Sequence, residues 1–114
     1  MLEFHQHVIE PDITVLELAG RMHLGNRLSE AERAAANLIA EGKKKLVLDI
    51  TKVDYIDSSA LGMLLVTTGN MKKVGGEVIL AGACTRVLDL IKLTHTRDVL
   101  RLEDTVEAAV QAFA

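Results

Sequence analysis

Between Leu46 and Thr68 the apolar pattern changes period once, and that change constrains the fold more than any other feature of the chain. Leu46-Val47-Leu48-Asp49-Ile50 is a nearly continuous apolar run, the signature of a strand buried on both faces. From Leu61 onward, Leu61, Leu64, Leu65 and Thr68 recur at helical spacing, giving one face of an amphipathic helix. A buried strand that feeds a helix is half of a parallel crossover, so helices must be stacked on a sheet. At the junction, Asp57-Ser58-Ser59-Ala60-Leu61-Gly62 puts two hydroxyls where the strand ends and the helix begins. Ser58 or Ser59 there can cap the helix by accepting an orphan backbone N–H. The same position also favours a phosphate, because free N–H groups and the helix dipole both attract negative charge. Spacing alone leaves both roles open.

The rest of the chain extends the alternation. Residues 2–9 and 12–19 read as two strands, joined tightly through Glu10, Pro11 and Asp12 into an antiparallel hairpin. Phe4 and Val8 alternate with His5 and His7, so the first strand should be half exposed, whereas Ile13 to Leu18 should lie deeper. Leu28, Ala31, Ala35, Leu38 and Ile39 form a helical stripe that starts at Asn26 or Ser29, runs to Glu41 and has Gly42 as its cap. The strand at 45–50 is expected to turn through Lys52-Val53-Asp54 before a helix at 60–73, ended by Gly75-Gly76. A strand at Glu77–Ala81, a short helix around Val87–Ile91 and a strand at Val99–Leu102 follow. The chain then closes in a helix from Thr105 with Asp104 as its N-cap. The order is β-β-α-β-α-β-α-β-α: an α/β fold with a mixed, mostly parallel sheet, an N-terminal antiparallel hairpin and about four helices.

Size and charge narrow the function. A chain of 114 residues suits one domain, taken here as 1–114, and 49% hydrophobic residues suffice for a packed core. A formal net charge of −3 argues against nucleic acid as the main partner, because phosphate binding needs a basic face. Lys43-Lys44-Lys45 reads as a solvated helix end, where cations suit the dipole. One cysteine, Cys84, allows no internal disulfide and reads as packing. No apolar run approaches the ~18 residues of a membrane span, and no secretory signal opens the sequence, so a cytoplasmic location is expected.

With the serine pair at a strand-to-helix junction, this order resembles the STAS domain, and within it the bacterial anti-sigma factor antagonists. The resemblance rests on Leu18-Ala19-Gly20-Arg21-Met22 and on Leu46–Ile50 followed by Val53-Asp54-Tyr55-Ile56-Asp57-Ser58-Ser59-Ala60-Leu61-Gly62. Gly75-Gly76-Glu77-Val78-Ile79-Leu80-Ala81-Gly82 and Asp104–Ala109 add to it. It implies a partner-switching protein, not an enzyme and without a cofactor. Ser58, the first serine after the aspartate, would be the phosphorylated residue, with Ser59 as the alternative. The implied partners are an anti-sigma factor with a histidine-kinase-like ATP-binding domain acting as the serine kinase, and a PP2C-type phosphatase. Binding by the unphosphorylated form would free a sigma factor. The expected partner surface comprises His23, Asp57, Ser58, Ser59, Met63, Thr67 and Asn70, with Met63, Thr67 and Asn70 exposed on the second helix. His23 occupies a loop position that is usually acidic in the family, and Leu93-Thr94-His95-Thr96-Arg97 departs from a loop that usually carries Gly and Leu at its third and fourth positions.

Other chemistry fits poorly. The Gly-x-Ser-x-Gly elbow of serine hydrolases lacks both glycines around Ser58 and Ser59, and there is no phosphate-cradling Gly-x-x-x-x-Gly-Lys-Ser/Thr loop. His5 and His7 share a strand face but lack further ligands for a metal. Within the same fold, a scaffold subunit of a stress-sensing particle or a STAS subunit of a lipid-transport complex are the alternatives. The intact Asp57-Ser58-Ser59 favours the switch over the latter.

Overall fold

The computed structural model describes residues 1–113. Five strands, β1 (Glu3–Ile9), β2 (Ile13–Met22), β3 (Lys45–Ile56), β4 (Glu77–Ala81) and β5 (Arg101–Glu103), form one sheet in the order β1-β2-β3-β4-β5. Only β1–β2 is antiparallel; each later strand is parallel to its neighbour. The helices are α1 (Leu28–Ala40), α2 (Ser58–Lys73), α3 (Thr85–Leu93) and α4 (Val106–Phe113). Each crossover from β2 to β5 moves in one direction along the sheet, and right-handed connections then place α1, α2 and α3 on the same face. The core is divided accordingly. Leu16, Leu48, Leu80 and their neighbours pack under α1, α2 and α3, while Val15, Val47 and Ile79 pack with Ala109 of α4 on the opposite face.

The expected order of elements holds, and β4 spans the expected residues. Three local readings change. Lys52-Val53-Asp54 is not a turn: β3 continues to Ile56, pairing Ala19 with Lys52, Gly20 with Val53 and Arg21 with Tyr55. The extra residues are absorbed as register shifts between Glu17 and Ala19 and between Gly20 and Arg21. Where the ladder breaks, the Asp49 carboxylate accepts both the Thr51 N–H (3.1 Å) and the Thr51 hydroxyl (2.6 Å). A side chain thus satisfies a donor that the bulge takes off the ladder. At the C-terminus, β5 is shifted to Arg101–Glu103, and α4 is capped by the Thr105 hydroxyl, which accepts the Ala108 N–H at 3.0 Å, rather than by Asp104.

The sheet positions the junction. β3 and β2 run beyond the end of β4, so Met22 pairs with Ile56 and the Asp57 N–H donates to the Met22 carbonyl at 3.1 Å. The start of α2 is therefore held against the loop that leaves β2. The other pole of the molecule carries the C-termini of α1 and α2 and the starts of β3 and β4.

Candidate phosphorylation site and partner surface

The N-cap of α2 is Asp57, not a serine. Its backbone is extended (φ −104°, ψ −176°) and its Oδ1 accepts the Ala60 N–H at 2.8 Å. Its second oxygen, Oδ2, accepts the Leu24 N–H at 3.0 Å. The expected capping role of Ser58 or Ser59 is thus corrected: aspartate caps at least as well as serine, and it stands one residue earlier. Burial opposes the Asp57 charge, but the Leu24 and Ala60 N–H groups, the nearby His23 and the Ser59 N–H outweigh it. They hold the carboxyl below its ordinary value of 3.8. Relieved of capping, Ser58 and Ser59 are both exposed in the first turn, and neither hydroxyl bonds another group among the described residues.

The loop from residue 23 to 27 completes this pole. His23 is half-buried, its Nδ1 lies 3.0 Å from the Leu24 carbonyl, and its ring stands edge-on to Tyr55 at 6.3 Å. The Arg21 guanidinium lies over the Tyr55 ring, 4.5 Å from its centroid. Asn26 pins the loop, donating to the Arg21 carbonyl at 2.7 Å and accepting the Leu2 N–H at 3.2 Å. Arg27 adopts a left-handed conformation (φ 62°) at the start of α1 and donates to the Leu2 carbonyl at 3.2 Å. Sequence reasoning missed Asn26 and Arg27. Asparagine's tolerance of tight turns is the available signal. Leu24 is left 74% exposed at the tip. A cleft of about 430 Å³ runs between this loop, α1 and α2, bordered by Leu24, Gly25, Glu32, Ser59 and Met63.

Two expected surface residues belong to the core. Met63 is 3% exposed and Thr67 4%, and both lie with Ala60, Leu64 and Met71 on the covered side of α2. Helix α2 is enclosed by the sheet below and packs against α1, so its buried arc is wider than one stripe and includes Met63 and Thr67. The open side carries Ser59, Val66, Asn70 and Lys73, with Gly62 and Gly69 half-exposed between them. Asn70 is exposed as expected; Val66, 51% exposed, takes the place given to Met63. The structure thus brings His23, Leu24, Asp57, Ser58 and Ser59 to one pole, and Val66 and Asn70 extend the surface along α2.

Comparison with known proteins decides the family. The family model described as "STAS domain" matches residues 6–109. The chain belongs to the STAS family. Relatives include BtrV of Bordetella bronchiseptica, 28% identical over 88 residues that cover 75% of this chain and 76% of that one. The anti-sigma-B factor antagonist of Bacillus subtilis is 30% identical over 73 residues, covering 64% of this chain and 67% of the relative. Among solved structures, an anti-sigma factor antagonist from Mycobacterium paratuberculosis superimposes with a TM-score of 0.88 at 20% identity, covering 98% of this chain and 93% of that chain. The Bacillus cell fate determinant SpoIIAA in its phosphorylated form gives 0.76 at 16% identity, covering 98% and 100%. These structural likenesses establish the STAS fold, with its five-stranded mixed sheet and four helices. No helix among the described residues is long and apolar enough to cross a membrane.

Proposed function

We propose that this STAS chain is an anti-sigma factor antagonist that works by partner switching. In its unphosphorylated form it binds an anti-sigma factor with a histidine-kinase-like ATP-binding domain, and a sigma factor is released. That partner phosphorylates Ser58, which ends the complex, and a PP2C-type phosphatase restores the hydroxyl. The chain contributes a surface and a phosphoacceptor, not catalysis.

The observation that carries this reading is the division of labour at the start of α2. Asp57 does the capping, so the Ser58 hydroxyl is exposed and uncommitted and can be modified without dismantling the helix end. A phosphate there adds about −1.5 to −2 charges beside the ionised Asp57. The helix tolerates it, because the charge lies at the positive end of the dipole. A docked partner does not, if its facing groups are apolar or acidic, because both desolvation and like-charge repulsion oppose contact. Relatives named as anti-sigma factor antagonists, and a SpoIIAA structure described as phosphorylated, support the same reading.

Incubation of the protein with ATP and the partner kinase isolated with it from the native host, followed by peptide mass spectrometry, tests the assignment. Phosphate on Ser58 is expected. Phosphate confined to Ser59, or its absence from both serines in an active kinase reaction, contradicts it.

A further inference from the structure

The pole opposite Ser58 collects lysines that are far apart in sequence. Lys43, Lys44 and Lys45 follow α1, and Lys72 and Lys73 end α2. One open cleft of about 400 Å³ is bordered by Lys44, Lys45, Lys72 and Phe113. It shares Lys44 with a neighbouring cleft that contains Lys43 and Asp12. On its other side it shares Lys72 and Glu77 with a third, which reaches Val99 and Arg101. A fourth adjoins that one through Asp98 and contains Lys92 and Arg97. Seven basic residues and three acidic ones border this chain of clefts, a net of four positive charges on a protein whose total is −3. The remainder of the molecule therefore carries seven net negative charges.

Helix-dipole compensation explains a lysine at each helix end, but not the extent of this band. Lys45 pairs with Asp12 at 3.2 Å, Arg101 with Glu77 at 2.8 Å, and Lys44 donates to the Val74 carbonyl at 2.6 Å. Lys43, Lys72, Lys92 and Arg97 have no carboxylate partner among the described residues. Exposed aliphatic side chains lie within the band: Val99 borders a cleft, and Val74 sits beside Lys44.

We infer that this basic pole is a second docking surface, which takes an acidic protein segment bearing aliphatic side chains. The interspersed Asp12, Glu77 and Asp98 select this occupant. A duplex or an anionic bilayer presents phosphates continuously and brings some of them onto those carboxylates, whereas a shaped peptide sets its own carboxylates between them. The apolar residues among the lysines match a segment that is not purely acidic. The 16 residues of α2 separate the two poles by roughly 24 Å, so occupancy here is independent of the charge on Ser58.

The test is an NMR titration of the intact protein with a short synthetic peptide of glutamates interspersed with leucines. Shift changes are expected at Lys43–Lys45, Lys72–Gly76 and Val99–Arg101, and not at residues 57–59. Affinity should fall as salt rises, and a peptide of glutamate alone should bind more weakly. The double variant Lys43→Glu/Lys72→Glu should lose about tenfold in affinity, the scale of 1.4 kcal/mol. Ser58→Asp, and the equal charge change Arg33→Glu/Arg86→Glu elsewhere on the surface, should lose none. Shift changes centred on Ser58, an equal loss in the Arg33/Arg86 control, or tighter binding to duplex DNA or anionic phosphatidylserine vesicles than to the peptide would overturn the inference. Should the lysine double variant unfold, the shift map of the unaltered protein decides by itself.

Discussion

Asp57 Oδ2 accepts the Leu24 N–H at 3.0 Å, and its other oxygen holds the Ala60 N–H at 2.8 Å. One carboxylate thus fastens the β2–α1 loop to the first turn of α2. Asp57→Ala removes both acceptors. It should destabilise the fold by about 1–2 kcal/mol, within the range of lost N-caps, as measured by urea unfolding. It should also loosen residues 23–26 in amide exchange.

The same residue gives the protein an acid-sensitive link. Its carboxyl is held below the ordinary 3.8 in the folded state, chiefly against burial and by the Leu24 and Ala60 N–H groups. A depressed carboxyl contributes stability that is present above the unfolded value and lost as pH falls through the folded one. The stability gap between the unaltered protein and Asp57→Ala should therefore be full at pH 7 and shrink below about pH 4. Parallel urea titrations across that range check it, and a gap independent of pH would show that the charge is not what matters.

Met63 and Val66 should separate folding from binding. Met63 is enclosed between α2 and α1, so Met63→Lys buries an unpaired charge and should cost about 3 kcal/mol or more. Val66→Lys lies on the open side of α2, and its unfolding midpoint should stay within about 0.5 kcal/mol. Its affinity for the partner kinase should nevertheless drop severalfold. Circular dichroism melts and calorimetry on the two variants give the comparison.

Gly82 is the backbone constraint at the end of β4. Its φ is +81°, its N–H donates to the Glu103 carbonyl at 3.0 Å, and a methyl group there would collide with the Thr51 side chain. Gly82→Ala adds a left-handed penalty to a clash and should destabilise by about 2–4 kcal/mol, read from the urea midpoint.

What the sequence revealed follows from which forces act locally. Glu77–Ala81 was readable because an apolar run between Gly75-Gly76 and Gly82 leaves no competing period. The rotation of α2 was not, because its buried arc depends on where α1 packs, and Met63 and Thr67 look peripheral when the helix is taken alone. The continuation of β3 through Lys52-Val53-Asp54 was hidden because polar residues in a bulge look like a turn until their partners on β2 are known. At the site, the junction itself is legible, but spacing does not say which residue caps it, because Asp57, Ser58 and Ser59 are consecutive and aspartate and serine cap about equally well. The convergence of Lys43–Lys45 with Lys72–Lys73 is purely tertiary, since each run looks like an ordinary helix end.

Charge at Ser58 is the core of the proposed switch, and Ser58→Ala and Ser58→Asp frame it. The alanine variant keeps the Asp57 cap, so it should bind the partner kinase about as well as the unaltered protein and accept no phosphate. The most direct measurement is calorimetric titration of that kinase with the protein carrying phosphoserine at position 58, alongside the unmodified protein. A charge switch at Ser58 gives at least a tenfold loss of affinity, about 1.4 kcal/mol, with an unchanged melting temperature. Equal affinity of the two forms would contradict it.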